Sequence, residues 1–258
     1  MTHLSAAARS TPGSRQGETL GSILTVAALT AVLGGVLAQN AGWQGRYVMA
    51  GWLAYAALGC TVAIAASFRP APARFGLANQ VTLLRAGLVC LAGGALLASG
   101  QAPGISWSLA GLIAAALSLD AVDGWLARRL GLTSAFGARF DIEIDALLLL
   151  ILALLLWQTG RVDAWVLAIG LLRYGFVLAG RIRPWLRTPL PPSRRRKAIC
   201  VQQGVTLLIC LLPPVSAALA GVAAALALAT LLLSFALDIH WLARRFETTS
   251  DRALVEHA

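Results

Sequence analysis

The segment DAVDGWLARRLGLTSAFGARFDIEID, Asp120 to Asp145, sets four aspartates at helical spacing in an otherwise apolar chain. An aspartate near the centre of a bilayer costs at least about 2.5 kcal/mol, so such residues need a compensating partner. On a helix, Asp120, Asp123, Gly124 and Ala127 fall at i, i+3, i+4 and i+7 and share one face. Gly124 and Ala127 let a second helix or a ligand approach the backbone closely. Gly131 suits a helix end, and Thr133 or Ser134 suits the next N-cap. Beyond that turn, Gly137, Asp141 and Asp145 recur every four residues on a second face, with Glu143 pointing roughly the opposite way. Two antiparallel helices joined there gather four carboxylates, which repel one another strongly in a low dielectric. Hard divalent cations such as Mg²⁺ or Mn²⁺ relieve that repulsion, and two of them suit phosphoryl chemistry. His is absent from the segment and no Cys is near it in sequence, which argues against zinc. Any one of these aspartates alone reads as a solvated helix end; four on matched faces, interleaved with Gly, Ala and Arg, do not. Arg128, by itself an ordinary flanking charge, becomes a phosphate-binding candidate beside them.

The elements that must position these residues are membrane helices. Of 258 residues, 58% are hydrophobic and 12% charged, and the mean hydropathy is +0.75. This composition predicts an all-α integral membrane protein. Eight apolar segments lie near 20–38, 47–67, 80–99, 104–127, 137–157, 164–181, 198–213 and 216–240. The formal charge of +10 is dispersed between them, which fits topology and excludes nucleic-acid binding as the better explanation. With a cytoplasmic N-terminus, almost all arginines fall inside and only Arg46 and Arg161 fall outside, so both termini and the aspartates are expected at the cytoplasmic face. Trp43, Tyr47, Trp107, Trp157 and Trp165 then mark the outer boundary. Cys60, Cys90, Cys200 and Cys210 match neither a zinc site nor a disulfide framework and read as buried thiols. The first apolar run lacks a small-residue cleavage site and reads as a helix rather than a removable signal.

The aspartate segment matches D-x2-D-G-x2-A-R-x8-G-x3-D-x3-D position for position, and so resembles the signature of the CDP-alcohol phosphotransferases, membrane enzymes of phospholipid head-group synthesis. The resemblance covers Ala78 to the end of the last helix. It implies a six-helix catalytic domain over 77–245, preceded by a cytoplasmic tail (1–19) and two added helices with a Pro-containing linker (20–76), and followed by a cytoplasmic tail (246–258). It further implies that Asp120, Asp123, Asp141 and Asp145 hold two Mg²⁺ or Mn²⁺ ions and that Asp145 is also the general base. Gly124, Ala127 and Gly137 would make room for the cytidine nucleotide, and Arg128 would grip its diphosphate. Upstream, ANQVTLLR is similar to the family's N-x2-T-x2-R segment, with Ala78 where a proline is usual; Asn79 and Thr82 are carried over as nucleotide contacts. Asn79 equally reads as a helix N-cap with Thr82 in the first turn. Arg85, about a turn and a half into an apolar helix, has no such bland explanation.

The expected reaction is transfer of a phosphatidyl group from a CDP-linked lipid such as CDP-diacylglycerol to a hydroxyl acceptor, with release of CMP. For the acceptor site, Arg194, Arg195, Arg196 and Lys197 form a basic run that is either a cationic pocket for a phosphorylated acceptor or an anchor to anionic lipid. Arg173, within an apolar segment, is a second acceptor candidate. Gln202 and Gln203 are either polar contacts between helices or partners for acceptor hydroxyls. The bias to arginine over lysine points to a GC-rich bacterial genome; the expected location is the bacterial inner membrane, and relatives in this family are often homodimers. Two rival readings use the same residues: a divalent-cation transporter, which predicts acids near the midplane on broken helices, and a catalytically silent interaction protein.

Overall fold

The structure, a computed structural model, describes residues 21, 25–36, 45, 48–56, 77–98, 107–130, 135–191 and 193–256, with the side chains of 77–80, 97–98, 121, 123–128, 130, 135–139 and 247–256 left aside. All regular structure among them is helical: α1 (Thr25–Val36), α2 (48–56), α3 (Leu77–Gly94), α4 (Trp107–Leu130), α5 (Ala135–Gln158), α6 (Leu167–Ile182), α7 (Arg194–Leu211) and α8 (Ala217–Glu256). The eight apolar segments thus each contain a helix. The N-terminal tail, Cys60, the linker after α2, Trp43 and Tyr47 lie outside the described residues.

Two of these helical stretches, Ala164–Ile182 and Ala217–Phe246, are long and apolar enough to cross a membrane; Thr25–Val36, Val81–Gly94 and Trp107–Asp120 are shorter apolar helices. The 30 residues of the second stretch reach about 45 Å, more than a ~30 Å hydrocarbon core requires. Its two faces differ in kind. Small or polar residues, Ala220, Ala224, Ala227 and Ser234, are buried, whereas Leu219, Val222, Leu226, Leu233 and Leu237 are exposed. Water would penalise that outward leucine face, while lipid accepts it and the alanine seam lets a neighbouring helix come close.

The chain divides into two compact units, Met1–Gly94 with Ser118–Asp141, and Ala95–Leu117 with Ile142–Ala258; α4 and α5 pass unbroken from one to the other. Within the first unit, α1 and α2 pack on α3 through glycines. A Cβ at Gly87 would come within 2.5 Å of Thr30 Oγ1, and one at Gly51 would come within 3.0 Å of the Leu91 backbone. Thr30 keeps its hydroxyl satisfied inside α1 by donating to the Val26 carbonyl at 2.8 Å.

Within the second unit, α6 packs on α5 where Gly170 leaves room for Leu150, whose Cα would lie 2.5 Å from an added Cβ. The α7–α8 pair is an antiparallel hairpin. Cys210 meets Ala220, Gln203 meets Ala227 and Arg195 meets Ser234, each contact stepping back along α7 as it steps forward along α8. The PPVS segment closes the hairpin because its prolines cannot continue α7, and Ser216 Oγ accepts from the Leu219 amide to start α8. Arg161, expected as an isolated external charge, clamps this turn instead. Its guanidinium donates to the carbonyls of Val215 (2.6 Å), Leu212 (2.9 Å), Cys210 (3.2 Å) and Pro213 (3.4 Å), acceptors at the end of α7 and in the turn beyond it.

Three boundaries differ from expectation. α7 starts at Arg194 rather than near 198, because its first turn, RRRK, is a set of good helix formers that a hydropathy pattern passes over, and α5 starts at Ala135, two residues before the expected segment. α8 runs on to Glu256, since HWLARRFETTSDRALVE contains neither Gly nor Pro to stop it.

Candidate active site

Three helices bring chemistry to one place. α4 carries Asp120, α5 carries Asp141, and α3 carries Arg85, whose side chain is fully removed from solvent. Arg85 Nη1 lies 2.9 Å from Asp120 Oδ1 and 2.6 Å from Asp141 Oδ1. A buried guanidinium requires such anions, because stripping its water without them costs several kcal/mol. Asp145 follows one turn after Asp141 on the same helix. One carboxylate oxygen from each of Asp120, Asp141 and Asp145 falls within 4.8 Å of the others, and the group is suited to holding a metal ion. The donor set is all carboxylate oxygen, the chemistry that Mg²⁺ and Mn²⁺ prefer.

The half-buried Cys200, on α7, approaches Asp145 with Sγ 3.7 Å from Oδ2. Sequence separation had set the cysteines apart from the acids, and a tertiary contact between α7 and α5 overrides that separation. Glu143 behaves as its phase on the helix requires: it faces away from the cluster and pairs with Arg173 of α6.

Asp123, Gly124, Ala127 and Arg128 lie on α4, Gly137 on α5 and Asn79 on α3, with their side chains outside the described residues. α3 already begins at Leu77, so Asn79 is inside its first turn and not its N-cap. Thr82 is buried three residues before Arg85.

The acceptor candidates separate. Arg195 donates to Asp238 Oδ1 at 2.5 Å and to the Ser234 carbonyl at 3.0 Å. Arg196 donates to the same Asp238 oxygen at 3.3 Å and to the Pro191 carbonyl. Arg194 and Lys197 are exposed. Asp238 was missed in the sequence; its signal is a single acid within a long apolar stretch, SFALDIHWLARR, where a carboxylate needs a cation. Gln203 is fully buried and donates to the Ala227 carbonyl at 2.8 Å, while Gln202 and Thr230 bond at 3.2 Å, so both glutamines tie α7 to α8.

Neither a curated protein nor a solved structure matches the chain. The family model for CDP-alcohol phosphatidyltransferases matches residues 75–236, a span that starts just before α3 and contains Arg85, all four aspartates of the motif, and α7. The acidic site and the helices around it therefore fall within the matched region, and the chain belongs to the CDP-alcohol phosphatidyltransferase family, membrane transferases of phospholipid synthesis that take a CDP-alcohol donor and an alcohol acceptor.

Proposed function

We propose that this protein transfers a phosphatidyl or other substituted phosphate group from a CDP-linked lipid, such as CDP-diacylglycerol, to a hydroxyl acceptor and releases CMP. The observation that carries this reading is the convergence of Asp120, Asp141 and Asp145 within the family-matched region. Asp120, Asp123, Asp141 and Asp145 would hold two Mg²⁺ or Mn²⁺ ions. Bound there, the ions offset the charge of the donor diphosphate and of the leaving CMP.

The chain's own residues do the rest. Asp145 receives the proton of the acceptor hydroxyl on a carboxylate oxygen, so that the acceptor oxygen can attack the lipid-side phosphorus as the bond to CMP breaks. Cys200 helps to orient that carboxylate through its contact at Oδ2. Gly124, Ala127 and Gly137 leave space for the nucleotide, Asn79 and Thr82 contact it, and Arg128 takes the diphosphate. On the acceptor side, Arg194 and Lys197 present exposed cations beside the paired Arg195 and Arg196, with Arg173 as a further contact reached through its pairing with Glu143. All eight helices cross or enter the membrane in this reading. The two N-terminal helices are additions to a six-helix catalytic domain over 77–245. The active site and both termini face the cytoplasm of a bacterial inner membrane, and the enzyme is a homodimer.

The test is CMP release by purified protein in mixed lipid micelles with CDP-diacylglycerol and Mg²⁺ or Mn²⁺. The acceptor panel comprises glycerol phosphate, inositol phosphate, inositol, serine, choline and phosphatidylglycerol. Acceptor-dependent CMP that disappears in Asp145→Asn supports the reading and names the head group. Metal binding with no CMP from any acceptor would reject CDP-diacylglycerol as the donor.

A further inference from the structure

Arg85 is the largest side chain in the molecule to be completely buried among the described residues, and it is buried at the carboxylates assigned to metal. It reaches them from a separate helix. A single nitrogen, Nη1, serves one oxygen of Asp120 and one of Asp141, at 2.9 Å and 2.6 Å. A divalent cation held by both carboxylates would meet this charge beside it, and Arg85 already occupies one oxygen of each. A guanidinium is permanently charged, so this positive charge cannot be relieved by loss of a proton.

We propose that Arg85 is a resident cation of the acidic site: it holds Asp120 and Asp141 in register before metal arrives and, by competing for their oxygens, lowers the affinity for divalent metal. The proposal rests on the metal-binding reading of the aspartates. Two consequences follow from electrostatics. Without Arg85, the aspartates repel each other, so the metal-free protein loses stability. A nearby positive charge that opposes an incoming dication is also gone, so metal binds more tightly. A side chain that merely filled space would move stability and leave the charge balance alone. Arg85 is therefore a positioning residue, and the two effects have opposite signs. The physical benefit is exchange: a site whose carboxylates are already organised and partly neutralised takes up and releases metal without collapsing.

The glycine contacts give this arginine its support. α3 is braced by α1 at Gly87, two residues beyond Arg85, and by α2 at Leu91. The added N-terminal helices thus fix the element that delivers the charge, within one compact unit.

The experiment uses the full chain in detergent micelles with neither donor nor acceptor. Mn²⁺ binding is followed by electron paramagnetic resonance, and thermal unfolding is followed with and without Mn²⁺. Arg85→Gln is expected to bind Mn²⁺ at least about tenfold more tightly than the wild type. It is also expected to unfold at a lower temperature without metal and to gain more from Mn²⁺. Arg85→Lys, which restores the charge, is expected to return the Mn²⁺ affinity to within about threefold of wild type. Should Arg85→Gln fail to fold without metal, recovery by Mn²⁺ supports the proposal and no recovery overturns it. Equal or weaker Mn²⁺ binding by Arg85→Gln overturns it while leaving the metal site standing. Wild-type protein whose Mn²⁺ binding is absent, or unaffected by Asp141→Asn, overturns the metal reading and this proposal with it.

Discussion

Among the described residues, arginine meets aspartate in two centres, in opposite proportion. At the acidic site, one guanidinium is divided between two carboxylates, Asp120 and Asp141, with Asp145 one turn further along. At the α7–α8 hairpin, one carboxylate, Asp238, draws in two guanidinium groups, Arg195 and Arg196. The first arrangement is the more acidic of the two and suits an added cation. The second has positive charge to spare and suits an anion, whether a phosphorylated acceptor or a lipid head group. The same pair of residue types therefore makes charge environments of opposite sign, decided by how many of each the helices bring together.

The largest expected effect tests the acid-rich centre. Asp141→Asn, or metal removal by chelation, should lower CMP release on the order of a thousandfold, because both the ion and the charge stabilisation go with it; the CMP assay reads this directly. Asp238→Asn should instead act on stability. It leaves two guanidinium groups facing a neutral amide, and a loss of about 1–3 kcal/mol in thermal unfolding is expected, held down because the arginines are about a third exposed (34% and 29% of their side chains). Mn²⁺ affinity should stay at the wild-type value; a loss of Mn²⁺ binding in Asp238→Asn would break the distinction between the centres.

Two smaller effects separate the hairpin's scaffold from its charge. Arg161→Lys keeps the charge but loses the planar fork that serves four carbonyls, and should lower unfolding stability by about 1–2 kcal/mol. Gln203→Met removes a helix-to-helix bond of a kind worth about 0.6 kcal/mol, and leaves the Ala227 carbonyl to its own helix. A change below about 1 kcal/mol is expected in the same unfolding experiment. A large loss in CMP release from either variant would mean that the hairpin contributes more than a frame.

Much of the acidic site is legible in the sequence because its logic is local. Asp141 and Asp145 share a face by helical phase, and Glu143 leaves it for the same reason; its pairing with Arg173 obeys that phase. Helix positions follow from apolar runs, whereas their ends do not. The basic start of α7 and the polar end of α8 are helical without being hydrophobic. Asp238 stayed unread because its partners are 42 and 43 residues away. Cys200, 55 residues from Asp145, was set aside for the same reason.

The sequence by itself determined the all-helical class, the apolar segments in which the described helices fall and the spacing of the aspartates, since composition and a 3.6-residue period need no partner to be read. Only the tertiary structure decided which cation serves which carboxylate. Arg85 is 56 residues from Asp141, and nothing in local pattern says that α3 will lie where its guanidinium reaches both Asp120 and Asp141. That placement comes from helix packing, where glycines permit close approach and a buried charge is stable only beside its counter-charge.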